Sequence, residues 1–170
     1  HPPSEAMPYF FAYGAAFPFF IREAPETKGM PTLHELCEWE WHYHWAHFEA
    51  HRHPLTVQDL NTLDAHDLEG MSLQFHPATQ LLSFEYDIEA MLEGKAPRVN
   101  VLGVATKSPT FVMISRHDGE VYCQWLTKDV ADFLATLLIG KSLQEANRRA
   151  LKSNPQFDLL GTLFKIFEKG

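Results

Sequence analysis

The sequence has only two cysteines and no long apolar run. Cys37 and Cys123 lie far apart, and neither belongs to a C-x-x-C pair, so we expect no disulfide framework and a reducing, cytoplasmic setting. The longest apolar stretch, residues 9–21, is interrupted by Gly14 and Pro18 and falls short of the ~20 residues that span a bilayer. We therefore expect a soluble chain without membrane association. Because an apolar segment closely follows His1, we also expect the chain to be part of a longer protein.

Basic residues are scarce in the first part of the chain. Residues 1–94 hold three basic and fifteen acidic residues, a net charge of −12, whereas residues 95–170 hold eleven basic and seven acidic residues, a net charge of +4. The overall charge of −8 argues against a nucleic-acid partner. The asymmetry predicts two regions with different partners, and two solvated surfaces of unequal composition are the alternative.

The sequence also lacks the common catalytic signatures. It has no G-x-S-x-G, no P-loop, no G-x-G-x-x-G and no Cys-His pair of known spacing. Cys123 alternates with Val121 and Trp125, and this pattern is more typical of a small core residue than of a nucleophile. The apolar neighbours of Cys37 favour the same interpretation. The residues therefore provide no recognised catalytic motif.

Helix signals dominate the first part. We predict a short helix over residues 10–21, and the pair Thr32 and Glu35 forms a T-x-x-E pattern that predicts a capping box and a helix over residues 33–51. That helix should stop before Pro54, because the residue before a proline avoids helical angles. A short helical turn is predicted over residues 57–63.

The second part combines strands and helices. A strand is predicted over residues 79–86 and a short helix over 88–93. Two β-rich runs, 111–115 and 121–125, flank Asp118-Gly119, which predicts a hairpin with a type I′ turn. Helices over residues 128–139, 143–152 and 156–167 should begin at Thr127, at a Ser142–Glu145 capping box and at Asn154-Pro155. The predicted class is α+β, with an N-terminal helical region (1–77) that binds a partner, followed by a small antiparallel sheet packed with C-terminal helices (78–170) that binds a peptide.

A polar stripe runs along the predicted helix 33–51. Glu40, His44, His47 and His51 fall on one line between two apolar arcs, which comprise Leu36, Trp39, Tyr43, Ala46 and Ala50 on one side and Cys37, Trp41, Trp45 and Phe48 on the other. His47 and His51, four residues apart, could both reach one metal ion, but no glutamate directly follows the first histidine as zincins require. A protein interface, a metal site built on the four stripe residues and a catalytic histidine all remain open.

The hairpin is a candidate for peptide docking. At a sheet edge, its free N–H and C=O groups would pair with an extended peptide, and the residues predicted to contact that peptide are Phe111, Met113, Ser115, Arg116 and Tyr122. Positive charge for an acidic ligand would come from Arg98, Lys107, Arg116, Lys128, Arg148 and Arg149. An ordinary hairpin packed under the C-terminal helices is the alternative, and the sequence does not identify the edge strand.

Four segments, in their order along the chain, carry a resemblance to a known family. They are the aromatic opening PYFFAYGAAFPFFI, Leu33-x-x-Leu36 followed by Glu40-Trp41, Phe75-His76-Pro77 before the predicted strand, and Leu137-x-x-Gly140-x-x-Leu143-x-x-Ala146 after the hairpin. In these the chain resembles the MbnC/HvfC/BufC-like family of partner proteins. The histidine-rich stripe departs from the small residues that the family has there, which leaves room for a specialised interface or a metal.

The resemblance implies a function. Family members form a heterodimer with a multinuclear non-haem iron oxidase (MbnB-like) that modifies cysteines in a ribosomally made precursor peptide (MbnA-like). In the methanobactin branch the products are copper-chelating oxazolone–thioamide groups. By resemblance, this chain is a non-catalytic partner that holds the precursor's leader and carries no cofactor, the iron lying in the partner subunit. The predicted partner-interface residues are Phe17, Trp41, His44, His47 and His51. A regulatory or structural protein without a peptide substrate is the alternative.

Overall fold

The computed structural model describes residues 14–48, 70–94 and 107–168. In chain order the elements are α1 (Phe17–Glu23), a 3₁₀ turn (Pro25–Thr27), α2 (Leu33–Ala46), β1 (Gln80–Phe84), α3 (Ile88–Leu92), β2 (Thr110–His117), β3 (Glu120–Leu126), α4 (Lys128–Leu138), α5 (Leu143–Ser153) and α6 (Leu159–Glu168). The predicted α+β class is confirmed, with helices preceding a small antiparallel sheet. The predicted turn over residues 57–63 and the first part of the predicted helix 10–21 lie outside the described residues.

The sheet has the order β1-β2-β3, and both pairs are antiparallel. The hairpin between β2 and β3 is confirmed: His117 pairs with Glu120, and the two turn residues, Asp118 and Gly119, have φ angles of 48° and 87°. Both positions of a type I′ turn require positive φ, which Asp and Gly tolerate. Because β1 also pairs with β2, β2 lies in the centre of the sheet, with β1 and β3 on either side of it.

Helices cover both faces of the sheet. On one face, Leu82 pairs with Val112, and these side chains pack with Ala46 of α2. On the other face, Met113 packs with helices α4, α5 and α6 in a cluster that includes Phe133, Leu134, Leu137, Leu143, Ala146, Ala150, Phe157, Leu163 and Ile166. Because Ala46 is fully buried against the sheet, the region predicted to bind a partner shares a core with the region predicted to bind a peptide. The division at residue 77 stays a prediction.

The starts of two helices test the two predicted capping boxes. The predicted capping box at Ser142 and Glu145 is confirmed, with the Ser142 hydroxyl accepting from the Glu145 N–H and the Glu145 carboxylate accepting from the Ser142 N–H. The capping box predicted at Thr32 and Glu35 is wrong. The Thr32 side chain makes no cap hydrogen bond, and the Glu35 carboxylate accepts from backbone N–H groups at the end of β1.

The last helix, α6, begins three residues later than predicted. The Asp158 carboxylate accepts from the Gly161 N–H at 3.0 Å and occupies the capping position. Asn154, the predicted cap, instead accepts from the Gln156 N–H and donates to Asp129. Its side chain therefore connects α4 to the end of α5.

Within the residues described, no helix is both long enough and apolar enough to cross a bilayer.

Candidate functional site

Helix α1 presents aromatic side chains to solvent. Phe17, Phe19 and Phe20 are 52%, 59% and 63% exposed, and the rings of Phe17 and Phe20 lie 6.5 Å apart. The helix buries none of its seven residues. Exposed aromatic side chains grouped on one short helix are typical of an interaction site, and we call these three residues the aromatic surface. It includes Phe17, which the sequence predicts at a partner interface.

The two apolar arcs of α2 have different neighbours. Trp39, Tyr43 and Ala46 pack with the sheet, as the first arc predicts. Trp41 lies on the α1 side, where its ring would meet a Cβ added at Gly14 at 3.3 Å, and it stacks on Trp45 with ring centres 5.2 Å apart. Trp41, a predicted interface residue, is therefore partly occupied in holding α1 and its preceding turn against α2.

The predicted polar stripe is exposed. Glu40, His44 and His47 face solvent, and His47 follows the last residue of α2. The His47 ring lies edge-to-face with the Tyr43 ring, with ring centres 5.2 Å apart. The helix ends at Ala46, earlier than the predicted residue 51, and His51 lies outside the described residues. Among residues 14–48, 70–94 and 107–166, no group of three or more His, Cys, Asp or Glu side chains is arranged to hold a metal ion.

A second polar stripe on α2, which the sequence reasoning missed, faces α1. His34, Glu38 and His42 recur every four residues and line an open cavity of about 210 Å³ between the two helices. The α1 side of this cavity contributes Phe19 and Arg22. The spacing was present in the sequence, but only the neighbouring helix distinguishes a stripe that lines a cavity from one that faces water. We call this cavity the α1–α2 groove.

Polar groups in the α1–α2 groove have few partners. Burial lowers the pKa of His42 below its usual 6.5, so its ring is neutral near pH 7. Its Nδ1 is inaccessible and has no hydrogen-bond partner among the described residues, while the ring edge contacts Trp41 at 4.8 Å between centroids. Arg22 bonds through Nε to Glu23 at 3.2 Å and lies 4.9 Å from the centre of the Phe19 ring. A second cavity of about 240 Å³ adjoins the groove at Arg22 and His34.

Glu35 connects α2 to the end of β1. Its side chain is buried, with 4% exposure, and its two oxygens accept hydrogen bonds from the Glu85 and Tyr86 backbone N–H groups at 2.7 and 3.2 Å. Burial raises the pKa of Glu35, and the two N–H donors oppose that shift. On the surface beside it, Glu85 pairs with Lys107 at 2.6 Å, which lowers the pKa of Glu85. Glu35 thus fixes the position of α2 on the sheet.

The predicted peptide-contact residues fall into two groups. Met113 and Ser115 are each only 2% exposed, because they lie on the central strand under the C-terminal helices, so they are not accessible to a docked peptide. Phe111 and Arg116 are half-buried on the same strand. Tyr122 on β3 is 37% exposed, and its hydroxyl donates to Glu120 at 3.2 Å.

Strand β3 has an outer edge. Among the described residues it pairs only with β2. In a two-residue hairpin the closing pair, here His117 and Glu120, is hydrogen bonded, and bonded pairs alternate along an antiparallel ladder. The N–H and C=O groups of Val121, Cys123 and Trp125 therefore point away from β2. These three residues define what we call the β3 edge.

The two cysteines lie in environments that do not activate their sulfur atoms. Burial raises the pKa of the Cys123 thiol to about 11, and Trp39 contacts it. Burial, followed by the nearby Glu40 charge, also raises the pKa of Cys37, and the thiolate is the nucleophilic form. Cys123 packs against the core on the α2 face of the sheet, as predicted, whereas Cys37 is half-buried and belongs to neither core cluster.

Comparisons with known proteins identify no relative, as no family model, curated protein or solved structure matches this chain. The resemblance to the MbnC/HvfC/BufC-like family thus stays a prediction carried by the motifs.

Proposed function

We propose that this protein is a non-catalytic partner subunit that binds an iron-dependent oxidase and holds the leader of a ribosomally made precursor peptide for cysteine modification. The observation that most supports this proposal is the presence of two separate surfaces suited to protein contacts, the aromatic surface of α1 and the β3 edge. The methanobactin-type product, the iron in the partner subunit and the cytoplasmic location rest on the sequence and the resemblance alone.

In the proposal, the oxidase contacts the α1–α2 side. Large aromatic side chains are enriched among residues that dominate interface energetics, and Phe17 stands beside Phe20 with ring centres 6.5 Å apart. His44 and His47 are exposed on the adjoining helix and available to the same partner, and we propose His51 as part of it. Trp41 contributes indirectly because it supports α1.

The leader peptide, in the proposal, adds to the sheet at the β3 edge. An extended peptide gains affinity from main-chain hydrogen bonds and specificity from alternate side chains. The outward groups of Val121, Cys123 and Trp125 supply the main-chain partners, and Tyr122 remains as an accessible side chain. Strand β3 is favoured over β1 because it has seven residues instead of five, so more pairs can form.

Co-expression with an oxidase and a precursor peptide that are encoded by neighbouring genes tests the complex. We expect the three chains to co-elute and Phe20→Glu to weaken the pair with the oxidase, because it places a charge in the aromatic surface. Lys152→Glu, an exposed change on α5, serves as the control. A chain that elutes alone beside soluble oxidase contradicts the proposal.

Backbone variants test the β3 edge. Val121→Pro removes an outward N–H without removing a bond to β2, and proline is tolerated in edge strands. We expect up to about tenfold weaker leader binding with little change in the melting temperature, because the leader loses one main-chain hydrogen bond, which contributes about 1 kcal/mol. Tyr122→Pro, which removes an inward N–H, should instead destabilise the hairpin. Equal leader affinity for Val121→Pro and the unmodified chain rules out docking at this edge.

Elemental analysis addresses the alternative of a metal site at Glu40, His44, His47 and His51. Metal bound in a one-to-one ratio and lost in His47→Ala would support that alternative in place of the partner role.

A further inference from the structure

The α1–α2 groove has a polar lining that helix–helix interfaces usually lack. Facing stripes of packed helices are normally apolar, yet α2 presents His34, Glu38 and His42 to α1 here. The space between the helices is left open instead of filled, at about 210 Å³. A concave site that combines aromatic walls with a few polar groups is the usual form of a small binding site.

The polar groups of the groove are not used by the fold. Apart from its bond through Nε to Glu23, Arg22 makes no hydrogen bond to the residues described, so its terminal NH₂ groups are available. Glu38 makes no hydrogen bond or ion pair within the same ranges, and the buried Nδ1 of His42 also lacks a partner there. Of these groups only the Nδ1 of His42 is buried without a partner, which is rare in folded proteins. The Arg22 side chain is 54% exposed and Glu38 is half-buried, so both remain accessible and together can offer a donor and an acceptor to one ligand.

The charge of the lining selects the class of ligand. Arg22 contributes one positive charge and Glu38 one negative charge, and the His42 ring is neutral near pH 7. A carboxylate ligand would pair with Arg22 and be repelled by Glu38. An ammonium ligand would pair with Glu38 and be repelled by Arg22. A neutral group with an accepting oxygen and an N–H donor matches both side chains.

We propose that the α1–α2 groove binds a carboxamide, whose C=O accepts from Arg22 and whose NH₂ donates to Glu38 between the rings of Phe19 and Trp41. The carboxamide is either that of a free small amide or that of a glutamine or asparagine side chain on another polypeptide. The site shares Phe19 with the aromatic surface, but it uses neither the β3 edge nor the exposed stripe of α2, and it is tested on this chain alone, so it can fail or hold independently of the partner role.

Two-dimensional ¹⁵N NMR with matched probes tests the site. The probes are propionamide, propionate and propylamine, and the three peptides acetyl-Gly-X-Gly-N,N-dimethylamide with X as Gln, Glu or norleucine, of which only the Gln peptide carries a primary carboxamide. We expect propionamide and the Gln peptide to shift the Trp41 indole and Arg22 Nε signals with saturation, and the charged and apolar probes to shift them less. If the Gln peptide binds more tightly than propionamide, the bound carboxamide belongs to a polypeptide. If propionamide binds more tightly, the ligand is a free amide.

Variants locate the binding. Arg22→Gln and Glu38→Gln should each weaken amide binding by about tenfold, as expected for losing a hydrogen bond to a charged group. Glu40→Gln, on the exposed stripe of the same helix, and Arg149→Gln on α5 are the matched controls. Ala15→Phe keeps the charges and fills the groove, and it should also abolish the shifts, so the test does not rest on the charge variants alone.

The proposal is overturned by any of three results: no saturable shift with either amide at concentrations of tens of millimolar, equal shifts with propionate or propylamine, or unchanged amide affinity in Arg22→Gln, Glu38→Gln and Ala15→Phe.

Discussion

Helices α1 and α4 differ in what they bury. Helix α4 buries Ala131, Phe133, Leu134 and Leu137, whereas α1 buries none of its residues and exposes three phenylalanines. Burial of apolar area is the main source of folding stability. The comparison therefore indicates that the C-terminal helices stabilise the domain, whereas α1 contributes little buried area to it.

The largest expected difference between the two regions is in core packing. Phe133→Ala should lower the free energy of unfolding by about 3–5 kcal/mol, because the ring is fully buried and packs against Phe157 at 5.3 Å between centroids. Phe20→Ala, at a ring 63% exposed, should change it by less than about 0.5 kcal/mol. Urea denaturation measures both. Similar losses for the two variants would break the comparison.

The attachment of α2 to the sheet should show the next largest effect. Glu35→Ala leaves the Glu85 and Tyr86 N–H groups without their acceptor and should lower the free energy of unfolding by about 1–3 kcal/mol. Glu40→Ala, at an exposed position of the same helix, should have little effect. Amide hydrogen exchange should report faster exchange at Glu85 and Tyr86 only in the Glu35 variant. Unchanged protection there would show that the carboxylate is not what holds α2 in place.

The cap of α5 should have a smaller effect. Ser142→Ala removes one side of the observed capping box and should lower the free energy of unfolding by about 1 kcal/mol. Ser108→Ala, at an exposed position outside the helices, is the control. Thermal unfolding of both variants checks the difference. A Ser142→Ala protein as stable as the unmodified chain would mean that packing of Leu143 and Ala146 alone determines where the helix starts.

The smallest expected effect is a pH dependence from the α1–α2 groove. Because burial lowers the pKa of His42 in the folded protein below 6.5, the unfolded chain takes up the proton first as the pH falls. The stability associated with a neutral His42 is present above pH 6.5 and is lost as the pH falls below it. The difference in unfolding free energy between the unmodified chain and His42→Gln should therefore shrink or reverse between pH 7.5 and pH 5. A constant difference would show that the ring is freely solvated.

The elements that sequence reasoning found rest on local patterns. Asp118-Gly119 supports the turn in which it lies, and Ser142 with Glu145 forms a cap within one helical turn. One arc of α2, including Trp39 and Tyr43, was also found correctly because helical spacing places those side chains together. Strand and helix boundaries differ from the predictions by a few residues, most clearly at α6, where Asp158 caps in place of Asn154.

The candidate site was predicted less completely than the fold, because sequence patterns report local spacing and not contacts between distant elements. Periodicity identified the stripe of Glu40, His44 and His47, and it applies equally to His34, Glu38 and His42. Nothing in a helical period states which stripe meets another helix. Likewise, the hairpin pattern did not reveal that β1 pairs with β2, which moves the outer edge of the hairpin to β3 and buries Met113 and Ser115.

The sequence by itself determined an α+β chain with a two-residue hairpin, the capping box of α5 and an acidic first part followed by a basic second part. These properties depend on neighbours within a few positions or on composition. Only the tertiary structure decided that Glu35 binds N–H groups 50 and 51 residues away instead of capping its own helix. It also decided that β3 forms the outer edge of the hairpin and that a polar groove lies between α1 and α2. Those contacts depend on the path of the chain between distant segments, which local patterns do not specify.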